Sequence, residues 1–380
     1  TYERGLSMSR LNLVVDNYSG KYSPPNSASP YYPNLLPNKP IRVKSTYNSS
    51  VHDLWSGYID SYAIDPQYAS RVTNIQASDR MKNLNRQNIN FLFRTNYNVG
   101  SACVDILSMA GVNSASRVID TFTDTLAFMW FEDRQPAGAI DEIVKFGNYK
   151  AFIDGQGRVN IRNRYFNAEG TVVASITEFY GLNYTLDEED IGNIIQVGGD
   201  PRKISTSVNT IAWLDQIISI PASGWTSFWL TYVDPVTLET PTPATSITLP
   251  VATTDYLTNT QSDGAGTNLT ASTSVYVAAF ATTVVCSIFN GDAASVSFVT
   301  LFKMRGYSVQ RKPNVKAEIQ IASSQSMYGE RIYTLDSPLI SELSYAQDYA
   351  TYLRDTHKDP TDKVTVSVKN QWDYQLKIEV

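Results

Sequence analysis

The sequence predicts a mainly β fold with α+β parts: β-rich segments at either end, a small α+β module, and an inserted β-sandwich. Three observations predict it. Most apolar residues alternate with polar ones, as in "RLNLVVD" and "IRVKSTY", the period of half-buried strands. Helical spacing is confined to three short runs. A Thr/Ser/Ala/Val-rich stretch from 216 to 291 is nearly free of charge and is cut by turn signals, the texture of short sandwich strands.

Residues 1–77 read as strands. Leu11, Leu13 and Val15 alternate with polar neighbours, and Ile41, Val43 and Tyr47 face away from Arg42, Lys44 and Thr46. "LWSGYIDSYAI" and "RVTNIQA" follow. Residues 78–170 read as an α+β module. In 101–111, Ser101 is placed to cap a helix striped by Val104, Leu107 and Met109/Ala110, with Gly111 past its end. In 136–147, Pro136 suits the first turn, Ile140, Ile143 and Val144 form the stripe, and Gly147 is the expected stop. "DGQG" at 154–157 then joins two alternating runs as a hairpin. Residues 171–214 return to strands, including "KISTSVNTIAW".

Residues 215–310 are the expected inserted sandwich. Its runs "WTSFWLTYV", "TSVYVAAFATTVVCSIFN" and "ASVSFVTLFKM" are separated by "SDGAGT" and "FNGD". Residues 311–380 open on the strand "NVKAEIQI". The clearest helix of the chain follows from Ser337, with Leu343, Ala346, Tyr349/Ala350 and Leu353 on one stripe. "KVTVSVKN" and "YQLKIEV" resume the period of two.

The 380 residues leave room for two or three domains. Charged residues are 18%, against about a quarter in an average domain. Ser, Thr, Asn, Gln and Tyr make the polar surface instead, which suits large assemblies where charge is costly to bury. The net charge of −6, with no basic stripe, argues against specific nucleic-acid binding, which draws on phosphate neutralisation. It is compatible with an acidic wall past which DNA slides. Cys103 and Cys286 fall in different predicted elements and are read as buried free thiols. The sequence opens on Thr1 and stops in a strand-like run, so further residues are expected at both ends. No apolar run reaches the roughly 20 residues of a membrane helix.

No catalytic residue, cofactor or metal ligand is nominated. His52 and His357 are the only histidines, which rules out HExxH; both are expected in structural roles, with His357 complementing the end of the last helix. There is no GxSxG elbow, Walker A loop or GxGxxG at a strand–helix junction. "DGAGT", 263–267, reads as a turn between strands. "LDEED", 186–190, lacks the ligand spacing of a calcium loop and reads as an acidic helical turn or solvated loop. The four Asn-x-Ser/Thr triplets are expected by chance in so Asn-, Ser- and Thr-rich a chain.

Two groups of residues remain. The first is the loop "DNYSGKYSPPNSASPYYPNLLPNKPIRV", Asp16–Val43, rich in proline and tyrosine and set between two strands. Its "PYYP" and "PNKP" fit the PxxP of polyproline ligands, which more often lie in disordered linkers. The second is the aromatic set Trp225, Trp229, Tyr232, Tyr256 and Tyr276 of the insert. These are expected in the sandwich core. If Trp225 and Trp229 were exposed, they and Tyr232 would instead offer rings to sugars.

The opening loop closely resembles the N-terminal region of the hub (minor tail, tail-tip) proteins of long-tailed bacteriophages. There a D-N-x-x-G-x-Y-S-P-x-N turn leads through S-P-Y-Y-P-N-L-x-P-x-x-P into an I/V-R-V/I strand and then L-F/W-x-G-x-I/V-D. The match runs through Asp16, Asn17, Gly20, Tyr22, Ser23, Pro24, Asn26, Ser29, Pro30, Tyr31, Tyr32, Pro33, Asn34, Leu35, Pro37, Pro40, Arg42, Gly57 and Asp60. "FVTLFKMRGYSVQ" and "SSQSMYGERIYTLDSPLI" resemble later family segments; 165–215 matches loosely.

The resemblance implies tube-like β-barrel hub domains. Residues 1–77 would be part of the first barrel, 171–214 would return to the hub core, and 311–380 would begin the second. It implies a virion protein of the phage tail tip, assembled in the host cytoplasm. Three copies would form a ring that continues the tail tube, with DNA passing through unbound. Expected partners are a homotrimer, the tail tube or distal tail protein, tip or fibre proteins and a host surface receptor; no cofactor is implied. A receptor- or glycan-binding tail protein, or a tail-associated lysin, is the alternative. The loop is expected to reach out as an extended arm and pack on a neighbouring subunit or the adjoining ring through Tyr18, Tyr22, Pro24, Pro30, Tyr31, Tyr32, Pro33, Leu35 and Pro37. Proline lowers the entropy cost of ordering such an arm, and tyrosine gives contact area with a polar tip.

Overall fold

The structure, a computed structural model, describes residues 8–47, 49–65, 71–166, 179–188 and 190–367. The run "YQLKIEV" lies outside the described residues. The fold is mainly β with a few helices, as the sequence predicts.

Four antiparallel strands form the first sheet: Arg10–Asp16, Pro40–Tyr47, Ser50–Ile64 and Val72–Ser78. Their spatial order is first, fourth, third, second. The opening loop therefore joins the two edges of the sheet. The predicted alternation is present, but Leu11, Leu13, Val15, Ile41 and Val43 are only half-buried. Gly57 sits where a Cβ would run into the Ser78 carbonyl and the Trp55 ring, so close approach requires this glycine. Asp60, three residues on, accepts from Ser78 Oγ at 2.6 Å and pairs with Lys82.

The α+β module packs two helices, Val99–Met109 and Pro136–Gly147, on the paired strands Ile89–Asn98 and Thr125–Arg134. Ile106, Leu107, Leu126, Met129, Ile140 and Ile143 are fully buried there. The first helix starts before the expected Ser101. Asn98 is its N-cap, and its side chain accepts from the Ser101 amide at 3.2 Å. Asn98 ends a strand in extended backbone, from which its short side chain can turn back onto the first turn. The second helix carries Pro136 in its first turn as expected, but it stops at Asn148 in the left-handed region; Gly147 is still helical, under the Tyr149 ring. The "DGQG" hairpin pairs Lys150–Ile153 with Val159–Arg162. Its tip docks on the first sheet: Ser56 Oγ donates to Gly155 O at 2.9 Å and Arg80 Nε to Gly157 O at 2.8 Å.

The C-terminal helix begins at Leu343, because Ser337 closes the strand Ile332–Ser337. Ala346, Tyr349, Ala350 and Leu353 are buried as the stripe predicts. They lie on a sheet ordered Val315–Gln320, Ile194–Gly199, Ile332–Ser337. Arg164 ties this helix to the module. It pairs with Asp124 at 3.0 Å, donates to Tyr345 Oη at 3.0 Å and lies over the rings of Tyr149, Tyr349 and Tyr352. The "SSQSMYGER" segment forms an unforeseen short helix, Ala322–Tyr328, ended by Gly329 at φ 76° and ψ 176°, a region essentially open only to glycine. Asn193, fully buried, holds the turn. It donates to Gly329 O at 2.7 Å and Ser324 Oγ at 3.3 Å, and accepts from the Arg331 amide at 2.7 Å.

The insert is a two-layer sandwich. The long strand Ser297–Arg311 is the spine of one layer. It pairs with Arg202–Ile204, Asn209–Trp213, Ile218–Ile220, Ala244–Thr248 and Tyr256–Asn259. This sheet thus starts at Arg202, ahead of the boundary at 215, because the earlier strands pair along the far end of the spine. The second layer is Trp225–Thr231, Thr283–Asn290 and Thr273–Ala279, side by side. Leu230, Val284, Cys286 and Ile288 meet Ile211, Val299, Phe302 and Met304 between the layers.

Candidate functional site

Two surfaces gather the nominated residues. The first is the opening loop. It is not an extended arm but a ladder of consecutive turns. The amides of Gly20, Ser23, Asn26, Ser29 and Tyr32 donate to the carbonyls of Asn17, Gly20, Ser23, Asn26 and Ser29, each three residues back, at 2.8–3.2 Å. The reason is chemical. Asn, Gly and Ser recur every third residue, and each favours a turn or caps one. Asn17 accepts from the Tyr22 amide at 2.8 Å and donates to Ser23 Oγ at 2.8 Å. Asn26 donates to Gly20 O at 3.0 Å, and Ser29 Oγ to Lys21 O at 2.5 Å. The residues that carry the family resemblance thus hold the loop by bonding one another.

What the ladder presents is aromatic and proline surface. Tyr18, Pro30, Tyr31, Tyr32, Pro33 and Pro37 are exposed, while Tyr22, Pro24 and Leu35 are half-buried. Tyr22 and Tyr31 stack at 5.5 Å and 16°, which orients Tyr31 from beneath. Arg71 lies over the Tyr18 ring. Leu36, not singled out in the sequence, is also exposed; its neighbours in the run "PNLLP" were the available signal. The loop joins the two edge strands of the first sheet, whose apolar residues are only half-buried.

The second surface is on the insert. Trp225 and Trp229 are 54% and 65% exposed, so the expectation that they fill the core is overturned. Tyr232 has no exposed surface and cannot touch a ligand. Strand parity explains both results. Phe228, Leu230 and Tyr232 alternate onto the inner face, and Trp225, Ser227 and Trp229 onto the outer. Cross-strand neighbours complete the outer face. Trp225 lies 5.2 Å from the Tyr276 ring and 4.9 Å from Phe289, and Trp229 stacks on Phe280 at 5.6 Å and 14°. Glu132 of the module accepts from the Thr282 amide at 2.6 Å and from the hydroxyls of Thr282 and Thr283. It thereby clamps the turn beside Phe280, a role with no sequence signal.

Burial pushes the thiols of Cys103 and Cys286 up to about 12, and both are free. Burial would also raise the Asp234 carboxyl. Bonds from the Thr237 and Val236 amides and from Ser308 outweigh it and hold that carboxyl below the usual range. "LDEED" lies partly outside the described residues; Glu188 bonds Arg331 at 3.1 Å.

No family model and no curated protein matches the sequence. Among the solved structures that resemble the chain are phage tail proteins and a type VI secretion component. The 43 kDa tail protein of prophage MuSo2 from Shewanella oneidensis is 13% identical, with a TM-score of 0.34 over 50% of this chain and 55% of its own. The prophage tail protein gp18 from Listeria monocytogenes is 9% identical, with a TM-score of 0.37 over 87% and 72%. A type VI secretion component of E. coli, described as similar in structure to the T4 tail proteins gp27 and gp5, is 8% identical, with a TM-score of 0.30 over 80% and 70%. The chain spans about half the length of the Shewanella protein.

Proposed function

We propose that the chain is a structural subunit of a phage tail tip: a baseplate hub that works through binding area. Three copies form a ring that continues the tail tube and passes to the tip or fibre. The observation that carries this reading is the opening loop. It is pre-wound by its own hydrogen bonds, holds Tyr31 and Tyr32 outward, and stands beside a sheet whose apolar face the chain leaves half-open. A surface ordered before it meets its partner loses little entropy on binding, and tyrosine-rich surface is typical of interface cores.

The first sheet would be one part of the tube wall. The ribbon of Gly181–Asp187 with Thr361–Ser367, where Leu182, Leu186 and Val364 are exposed, would begin the second. The net charge of −6 suits a channel that lets DNA pass. Light scattering on the purified chain at two concentrations, alone and with tail-tube subunits, tests the reading. A mass of three copies, or capture by the tube, is expected. A monomer under every condition would overturn it.

A further inference from the structure

We propose that the outer face of the sandwich layer Trp225–Thr231, Thr283–Asn290, Thr273–Ala279 is a binding platform for a neutral oligosaccharide. This goes beyond the hub reading and does not depend on it.

Four observations carry the proposal. The first is ring placement. Trp225 and Trp229 are four residues apart on one strand, about 13 Å along it, and each anchors its own aromatic group: Tyr276 and Phe289 around Trp225, Phe280 beneath Trp229. Phe280 covers one side of the Trp229 indole, and 65% exposure leaves the other side open. The second is what lies between. Ser227 and Ser287 face each other across the strands with hydroxyls 2.8 Å apart. Thr231 and Ser274 border the face. Hydroxyls both donate and accept, as sugar hydroxyls require, while sugar C–H faces stack on rings. The third is charge. The three strands carry no ionisable side chain except the inward Cys286 and the ring of Tyr276, and no lysine or arginine occurs from Ile204 to Phe302. An anionic glycan or a nucleic acid would find no counter-charge here. The fourth is rigidity. The inner side of the layer is locked by Leu230, Val284, Cys286 and Ile288, and Glu132 pins the adjoining turn. The rings are therefore held before any ligand arrives, which favours affinity. A protein partner would find few aliphatic anchors, since only Val285 and Ala278 share the face with the rings.

The test is native affinity electrophoresis of the full chain in gels containing mannan, galactomannan, arabinoxylan, soluble glucan or glycol chitin, with hyaluronate as the anionic comparison. At least one neutral polysaccharide should retard the wild type. Trp225→Ala and Trp229→Ala should each weaken that binding at least tenfold, Trp229→Tyr should retain part of it, and Trp213→Ala, exposed on the other layer, should leave it unchanged. Both tryptophans are exposed, so the variants should keep the wild-type unfolding midpoint, which calorimetry checks. No retardation by any neutral polysaccharide, retention by hyaluronate alone, or retardation indifferent to both tryptophans would overturn the proposal. A fall in native mass on either Trp→Ala change would overturn it too, marking the face as a subunit contact. In each of these outcomes the wild-type chain would still assemble, so failure here is distinguishable from failure of the hub reading.

Discussion

Replacing Tyr31 and Tyr32 together by alanine separates a loop that serves assembly from one that serves only its own domain. The two rings are 43% and 50% exposed. A tyrosine presents roughly 200 Å², so about 90 Å² per ring remains to be covered by a neighbour. At roughly 25 cal/mol per Å² that is about 2 kcal/mol per ring. Ordering each side chain costs about 1 kcal/mol. The net for both rings is about 2 kcal/mol per contact, roughly thirtyfold in association. Within the monomer the change removes the Tyr22–Tyr31 stack, worth about 1 kcal/mol. That lowers the unfolding midpoint by only about 1 °C in a chain of this size, because the turn ladder is held by Asn17, Asn26 and Ser29 and not by the two rings. Sedimentation equilibrium of wild type and double variant, with calorimetry of each, reads both quantities. Association unchanged within twofold would refute the interface. A midpoint lowered by 10 °C would refute the claim that the loop is self-supporting.

Three further outcomes are expected. Asn193→Ala leaves the Gly329 carbonyl and the Arg331 amide without their buried partner, which costs about 3 kcal/mol; urea unfolding should show it, and a loss below 1 kcal/mol would mean that the turn re-forms without it. The Asp234 carboxyl is held low in the folded state, so its contribution is present above the unfolded value of about 3.9 and is lost as pH falls through the lower folded value. Asp234→Asn should therefore flatten the decline of the urea midpoint below pH 4, and an equally steep acid limb in the variant would contradict this. Finally, a thiol reagent at pH 8 should find no reactive cysteine in the native chain and two after denaturation, because burial raises both thiols; fast reaction of either in the native state would show that its site opens.

Much of the architecture follows from local chemistry and was legible in the sequence. Period two marked the strands at 10–16 and 40–47, the three-and-four stripe marked the buried Ala346, Tyr349, Ala350 and Leu353, and "DGQG" marked its hairpin. These signals survive because one face of each element is apolar and a shift of register would expose it. Spacing does not fix a helix start where a polar residue one turn away can cap equally well, as with Ser101 and Asn98. The turn ladder is also written in the sequence, since Asn17, Gly20, Ser23, Asn26 and Ser29 recur at an interval of three, but proline content by itself favours extension equally. What only the tertiary structure decided is which surfaces stay open. Parity placed Trp225 and Trp229 on the face opposite Phe228 and Leu230, but parity does not say which face is covered. That depends on the strand Ser297–Arg311 lying beneath one side. Strands 202–213 joining that sheet and Glu132 reaching Thr282 also depend on contacts between residues about a hundred or more positions apart. Local spacing carries no information about such contacts; the packing of the whole chain does.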